Sequence, residues 1–162
     1  MDIMRYRIGI GYDIHRLAPN RPLVLGGVRI DSELGLAGHS DADVVLHALC
    51  DALLGAAGLG DIGDLFPDTD PAYQGADSGQ FVAEVLQRVT QAGFSTCNVD
   101  IIIHAERPRL GALKGRIRQS VADLLHLPPS AIGIKATTNE GLDAVGRGEA
   151  IACWVGALLR AP

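Results

Sequence analysis

The sequence predicts an α/β (α+β) fold in which a single mixed β-sheet carries helices on one face. Three observations lead there. Alternating or continuous apolar stretches mark strands near residues 5–15, 22–30, 97–104, 132–138 and 149–159. Stretches near 40–58, 79–92 and 110–126 instead repeat apolar residues every three to four positions, the period of an amphipathic helix. The resulting order, β, ββ, α, α, β, α, β, β, runs without a repeat or linker, so residues 1–162 are expected to form one domain.

In the first strand Tyr6, Ile8, Ile10 and Tyr12 fall on one side, and Gly9, Gly11, Asp13 and His15 on the other. PLVLGGVRI at 22–30 reads as a hairpin turning at Gly26-Gly27, and residues 31–39 as loop. Ser40 or Asp41 can cap the first helix, whose apolar positions are Leu46, Leu49, Cys50, Leu53, Leu54 and Ala57; Gly58 and Gly60 end it. A polar loop over 60–78 leads to the second helix, with Val82, Val85, Leu86 and Val89 inward and Gly93 as the stop. The third helix places Leu113, Ile117, Val121 and Leu124 on one stripe, closed by Pro128-Pro129. EAIACWVGALL at 149–159 has the nearly continuous apolar pattern of a strand buried on both faces. With helices on one side, no element remains to cover the sheet's other face. Association of copies through that face is the economical expectation.

Composition narrows the function classes. An apolar fraction of 48% with 20% charged residues is that of a globular chain, not a disordered one. A net charge of −5 without any Lys/Arg run argues against nucleic acid or an anionic membrane as partner. Cys50, Cys97 and Cys153 are widely spaced and odd in number, which argues against a disulfide framework, and no CxxC pair offers a zinc ribbon. The opening MDIMRYRIGIGYD lacks a signal-peptide pattern, and the apolar stretch 44–59 is short and interrupted by His47 and Asp51. A cytoplasmic protein without a membrane span is expected.

Five constellations could bear chemistry. Asp13 and His15, two apart on a strand, converge on one face that Gly9 and Gly11 leave bare; alone, such a pair is equally a surface polar pair. His47 is bracketed by Asp43 and Asp51 at four residues either side, as a metal-ligating His oriented by carboxylates would be, or as an ordinary helix His. Together Asp13, His15 and His47 make three N/O ligands with a fourth position open, the arrangement of a catalytic zinc. Gly38-His39-Ser40-Asp41 opens a helix, where N–H groups favour an anion. The acidic, glycine-rich loop 60–70 suits hydroxyls or a hard cation but lacks calcium-loop spacing. Lys135-Ala136-Thr137-Thr138-Asn139-Glu140-Gly141 suits a phosphate with Mg²⁺, and the segment from Ala105 to Gly111 similarly leaves a strand for a helix start.

GYDIHRL at 11–17, GHSDADVVLHALCDALLGAAGLGDIGDLFPDTDP at 38–71, GADS at 75–78, and KATTNE with GRGE at 135–149 closely resemble the 2-C-methyl-D-erythritol 2,4-cyclodiphosphate synthase family. The likeness runs through essentially the whole chain in order. It implies a homotrimer with active sites between subunits and the sheets facing its interior. The implied reaction turns 4-diphosphocytidyl-2-C-methyl-D-erythritol 2-phosphate into the cyclodiphosphate and CMP, in the non-mevalonate isoprenoid pathway. The resemblance implies Asp13, His15 and His47 as zinc ligands, with Asp13 and His15 also at the substrate. It implies His39 and Ser40 on the substrate phosphate, His39 being a transition-state stabiliser. Asp61, Gly63, Phe66, Asp68 and Asp70 are implied in the erythritol pocket. Ala105, Arg109, Thr137, Thr138 and Glu140 are implied in the cytidine diphosphate pocket, with Thr138 the second stabiliser. Glu140 would hold a second ion, Mg²⁺ or Mn²⁺, and Arg147 would face the trimer channel. The chain departs from the family pattern at Ala144, where an aromatic is common, at Arg109, where Lys is frequent, and at Asp143 near the channel. Glu149 is placed to neutralise Arg147. A zinc phosphohydrolase using the same ligands, and a non-catalytic trimer binding metal or an isoprenoid diphosphate, are the competing readings.

Overall fold

A computed structural model describes residues 5–162, so the first four residues of the opening segment lie outside it. Five strands form a mixed sheet: β1 (Tyr6–Pro19), β4 (Leu34–Leu36), β5 (Ser95–His104), β6 (Ile132–Thr137) and β7 (Ala150–Arg160), in the order β4-β1-β7-β5-β6. Only the β5–β6 pair is parallel; the other pairs are antiparallel. The two remaining strands, β2 (Leu23–Leu25) and β3 (Val28–Ile30), pair only with each other, so the fold has a small second sheet besides the expected one. Their turn is the expected Gly26-Gly27, with φ of 61° and 76°, a conformation that β-carbon sterics deny most residues.

The helices are α1 (Val44–Ala57), α2 (Ile62–Leu65), α3 (Ser78–Gln91), α4 (Lys114–Leu125) and α5 (Asp143–Gly146). Eleven of the fourteen α1 residues are buried, which makes it an internal helix. It lies on β1 and β7, with α3 on its far flank, while α4 covers β6. The close seat of α1 depends on β1's glycines. A Cβ at Gly9 would fall 2.0 Å from the Ala52 carbonyl oxygen, and one at Gly11 1.8 Å from that of Ala48. Helix backbone therefore rests directly on strand backbone.

Several boundaries differ from expectation. Asp43, rather than Ser40 or Asp41, caps α1, because its side chain accepts from Val45 N and Leu46 N. β4 lies within the expected loop 31–39, and α2 within the expected loop 60–78. The third helix begins as a 3₁₀ turn at Gly111–Leu113, and His126 in the left-handed region ends it before the prolines. β7 is buried on both faces only over Ala150–Cys153; further on, Trp154 and Gly156 are exposed. The sheet face away from α1, α3 and α4 carries Tyr6, Ile8, Ile10, Tyr12, Ile14 and Trp154, all exposed, with Ile8 at 76%. The short α5 packs on one end of this face, Val145 against Ala150 and Ala152, so the expectation of helices on one face alone does not hold there. From Tyr6 to His15, β1 pairs with β7 along one edge, and no described strand pairs with the other.

Candidate metal centre and anion cleft

Asp13 and His15 leave the glycine face of β1, and α1 brings His47 onto them. His15 Nε2 lies 3.0 Å from Asp13 Oδ2, His47 Nδ1 lies 3.1 Å from the same oxygen, and the two ring nitrogens are 3.2 Å apart. One ligand atom from each falls within 4.8 Å of the others. The three side chains keep 25%, 20% and 14% of their surface exposed, so the group is open at one side rather than sealed. Burial is the largest influence on both Asp13 and His15 and disfavours their charged forms. The two imidazoles nevertheless hold the Asp13 carboxyl well below the usual carboxylate range, and Asp13 raises His15 above the ordinary imidazole value.

The donor set fits a divalent ion of the zinc type: one carboxylate oxygen, two imidazole nitrogens and room for a further ligand. His15 Nδ1 lies 2.9 Å from the carbonyl oxygen of Ala37. A carbonyl can only accept, so Nδ1 carries the proton and Nε2 presents its lone pair to the cluster.

The expected carboxylate brackets of His47 have other partners. Asp43 accepts from the N–H groups of Gly26, Gly27, Val45 and Leu46, tying the β2–β3 turn to α1. Burial pushes its carboxyl up to about 6, against the pull of those donors. Asp51 accepts from Ile62 N and so anchors α2. His47 Nε2 instead meets two hydroxyls, Ser78 Oγ at 2.9 Å and Ser40 Oγ at 3.1 Å. Ser78 donates to Asp41 through its hydroxyl and its N–H.

His39 and Ser40 stand beside this group. The Arg21 guanidinium fixes their segment by donating to the carbonyls of Leu36, Gly38 and Ser40 at 3.0–3.1 Å. His39 Nε2 donates to the Asp70 carbonyl at 3.0 Å, which brings the 66–70 loop to the same end of the fold. There Asp61 and Asp64 form a reciprocal cap on α2, Gly63 and Asp68 are exposed, and the Asp70 side chain accepts from Ala72 N. Phe66 stacks on Phe81 with centroids 4.5 Å apart, and Tyr73 meets both rings edge-on.

A second feature is a cleft of about 1190 Å³ between the ends of β5 and β6. Arg107, Arg109, Lys114 and Arg147 line it with Ala105 and the hydroxyls of Thr137 and Thr138, groups suited to an anion, and the carboxylates of Asp31, Glu33 and Glu106 share the wall. Its walls include none of Asp13, His15 or His47. Glu106 accepts from Asn139 N at 2.9 Å and holds the 137–141 loop; Thr138 Oγ1 and Glu140 Oε1 lie 3.5 Å apart. Arg147 makes a two-pronged pair with Glu149 at 3.0 and 3.2 Å, so its charge is neutralised within the chain. The sequence did not single out Arg21, and it marked Glu106 only within the segment from Ala105 to Gly111 and Ser78 only as the end of GADS. Ser78's one local signal was its place at a helix start.

A candidate histidine–carboxylate metal group and a cleft with arginine, lysine and threonine side chains, on a mixed sheet whose longer helices pack on one face, suit an enzyme that handles phosphates. The chain belongs to the YgbB family, whose model matches residues 6–160. It is 54% identical over 152 residues to the 2-C-methyl-D-erythritol 2,4-cyclodiphosphate synthase of Symbiobacterium thermophilum, covering 94% of this chain and 97% of that one. A CDP-bound structure of a 2C-methyl-D-erythritol-2,4-cyclodiphosphate synthase matches with a TM-score of 0.87 at 42% identity, over 94% of this chain and 99% of that one. The bifunctional IspDF from Campylobacter jejuni matches with a TM-score of 0.93 at 41% identity over 97% of this chain, which spans 42% of that larger protein.

Proposed function

We propose that the chain converts 4-diphosphocytidyl-2-C-methyl-D-erythritol 2-phosphate into 2-C-methyl-D-erythritol 2,4-cyclodiphosphate and CMP, as a metal-dependent phosphorus–oxygen lyase of isoprenoid biosynthesis. The observation that carries this reading is the convergence of Asp13, His15 and His47 beside His39 and Ser40, in a chain matching synthases of that name over nearly its full length.

An oxygen of the 2-phosphate bonds to the β-phosphorus, and the bond from that phosphorus to the bridging oxygen breaks, releasing CMP. The nucleophile is already an anion, so no protein base is required. Repulsion between phosphates opposes the reaction, and catalysis reduces to positioning and charge neutralisation. Asp13, His15 and His47 would hold zinc and Glu140 a second ion, Mg²⁺ or Mn²⁺; such ions, when bound, supply positive charge to phosphate oxygens. His39 and Ser40 bind the substrate phosphate, with Arg21 fixing their backbone. Asp61, Gly63, Phe66, Asp68 and Asp70 form the erythritol pocket. Ala105, Arg109, Thr137 and Thr138 bind the cytidine diphosphate, the planar Arg109 fork replacing a point charge.

The candidate metal group and the cleft have separate linings on one chain, and the sheet face away from α1, α3 and α4 carries a row of exposed apolar side chains. Both support a homotrimer in which neighbouring subunits complete each active site. Phosphorus NMR of the protein incubated with the cytidylated substrate tests the reading. A cyclic diphosphate with equimolar CMP is expected. Inorganic phosphate would indicate a hydrolase, and unchanged substrate a binding module.

A further inference from the structure

The residues that set the orientation of His47 lie on two other segments, and neither is a ligand. Ser78 opens α3 and is fully buried. Its hydroxyl lies between His47 Nε2, at 2.9 Å, and the Asp41 carboxylate. A carboxylate only accepts, so the Ser78 hydroxyl hydrogen goes to Asp41. The Ser78 N–H donates to the other Asp41 oxygen at 3.0 Å, and Asp43 N donates to Asp41 Oδ1 at 3.1 Å, which fixes the carboxylate from three directions. Having spent its only hydrogen, Ser78 Oγ can meet His47 only as an acceptor.

We infer that Asp41 and Ser78 act as positioning residues: they hold the proton of His47 on Nε2 and leave Nδ1 bare, facing Asp13 and His15. The inference rests on the reading that these three residues bind a divalent ion. Asp13 opposes the relay, since its carboxylate lies 3.1 Å from His47 Nδ1 and would accept a proton placed there. Without Asp41 and Ser78, the neutral ring would turn its proton toward the cluster and close the coordination position. The same arrangement accounts for Ser40. The single Nε2 hydrogen is shared between Ser78 Oγ at 2.9 Å and Ser40 Oγ at 3.1 Å, and Ala42 N donates to Ser40 Oγ at 3.2 Å, so the Ser40 hydrogen is not used on His47 and remains available for a phosphate oxygen.

The test uses the full chain stripped of metal, with imidazole nitrogens labelled and His47 assigned by loss of its signals in His47→Gln. The neutral His47 ring is expected to carry its proton on Nε2. A proton on Nδ1 with a bare Nε2 would overturn the inference. Chelator competition should show Zn²⁺ binding weakened about 10- to 100-fold in Ser78→Ala and in the near-isosteric Asp41→Asn. Undiminished affinity in either folded variant would also overturn it. The wild-type spectrum decides the matter even if a variant fails to fold. Cyclic product from a protein with bare Nε2 would sink the relay and leave the proposed function standing. The expected tautomer without cyclisation would do the reverse.

Discussion

Gly11→Ala is the substitution that most directly joins the fold to the metal group. The new Cβ would lie 1.8 Å from the Ala48 carbonyl oxygen and 2.8 Å from Ala52 N. A carbon and a carbonyl oxygen in contact sit about 3.3 Å apart, so helix and strand must separate by roughly 1.5 Å. β1 is held by continuous pairing to β7 from Tyr6 to Arg16, which leaves α1 to move. His47 is the residue before Ala48, and it moves with the helix. Overpacking of this kind costs about 3 kcal/mol, or a fall in Tm of roughly 6–12 °C at this chain length. A displacement of about 1 Å at a reacting group costs roughly a hundredfold in turnover. Circular dichroism melting, zinc content by elemental analysis and cyclase turnover measure the three effects. Gly55→Ala is the control, since nothing lies within 4 Å of its Cβ position; a helical Ala there should stabilise by about 0.4–1 kcal/mol. A Gly11→Ala protein that melts like the wild type and keeps full zinc and turnover would refute the backbone-on-backbone seat.

Asp43→Ala leaves the N–H groups of Gly26, Gly27, Val45 and Leu46 without their acceptor; a loss of about 3 kcal/mol or more is expected in urea unfolding, and an unchanged midpoint would contradict it. His47→Ala should fold, yet lose most of its zinc and cyclase activity; stoichiometric zinc in that variant would remove His47 from the ligand set. Zinc retention should weaken as pH falls, because both imidazoles must be deprotonated to bind and Asp13 raises the proton affinity of His15; dialysis across a pH series reads this directly. Light scattering should give about three times the chain's 17.0 kDa, and a fully active monomer would refute the shared-site arrangement.

The strands and helices that position the site were legible because their apolar periods are long. β1 alternates cleanly, and the bare face made by Gly9 and Gly11 already marked where something could approach closely. The period alone did not say that the glycine face would be the inner one. Asp13, His15 and His47 were legible as a candidate metal group because strand spacing puts the first two on one side, and the structure brings the three together. Their supports were not. Asp43 was read as a partner for His47 from helix spacing, but a turn seventeen residues upstream supplies stronger demands on its carboxylate. Ser40, Asp41 and Asp43, all good capping residues, fall within four positions, and only backbone geometry selects among them. β4 is three residues long, too short for any period to register. Arg21 reaches carbonyls fifteen to nineteen residues away, a contact without local signature.

The open edge of β1, beside the row Tyr6, Ile8, Ile10, Tyr12 and Ile14, bears on how the protein is made. An unpaired edge next to exposed apolar side chains is a template for whichever strand arrives first. For a chain that assembles as proposed, a newly folded copy faces a race between docking with its own kind in register and stacking with other chains out of register. Both are collisions between chains, so dilution does not by itself favour the correct one. Temperature and folding speed do more, since they decide how long chains with incomplete cores mix with finished ones. Refolding yield should accordingly depend on the order of events: seeding with completed subunits raises it, and a slow removal of denaturant lowers it.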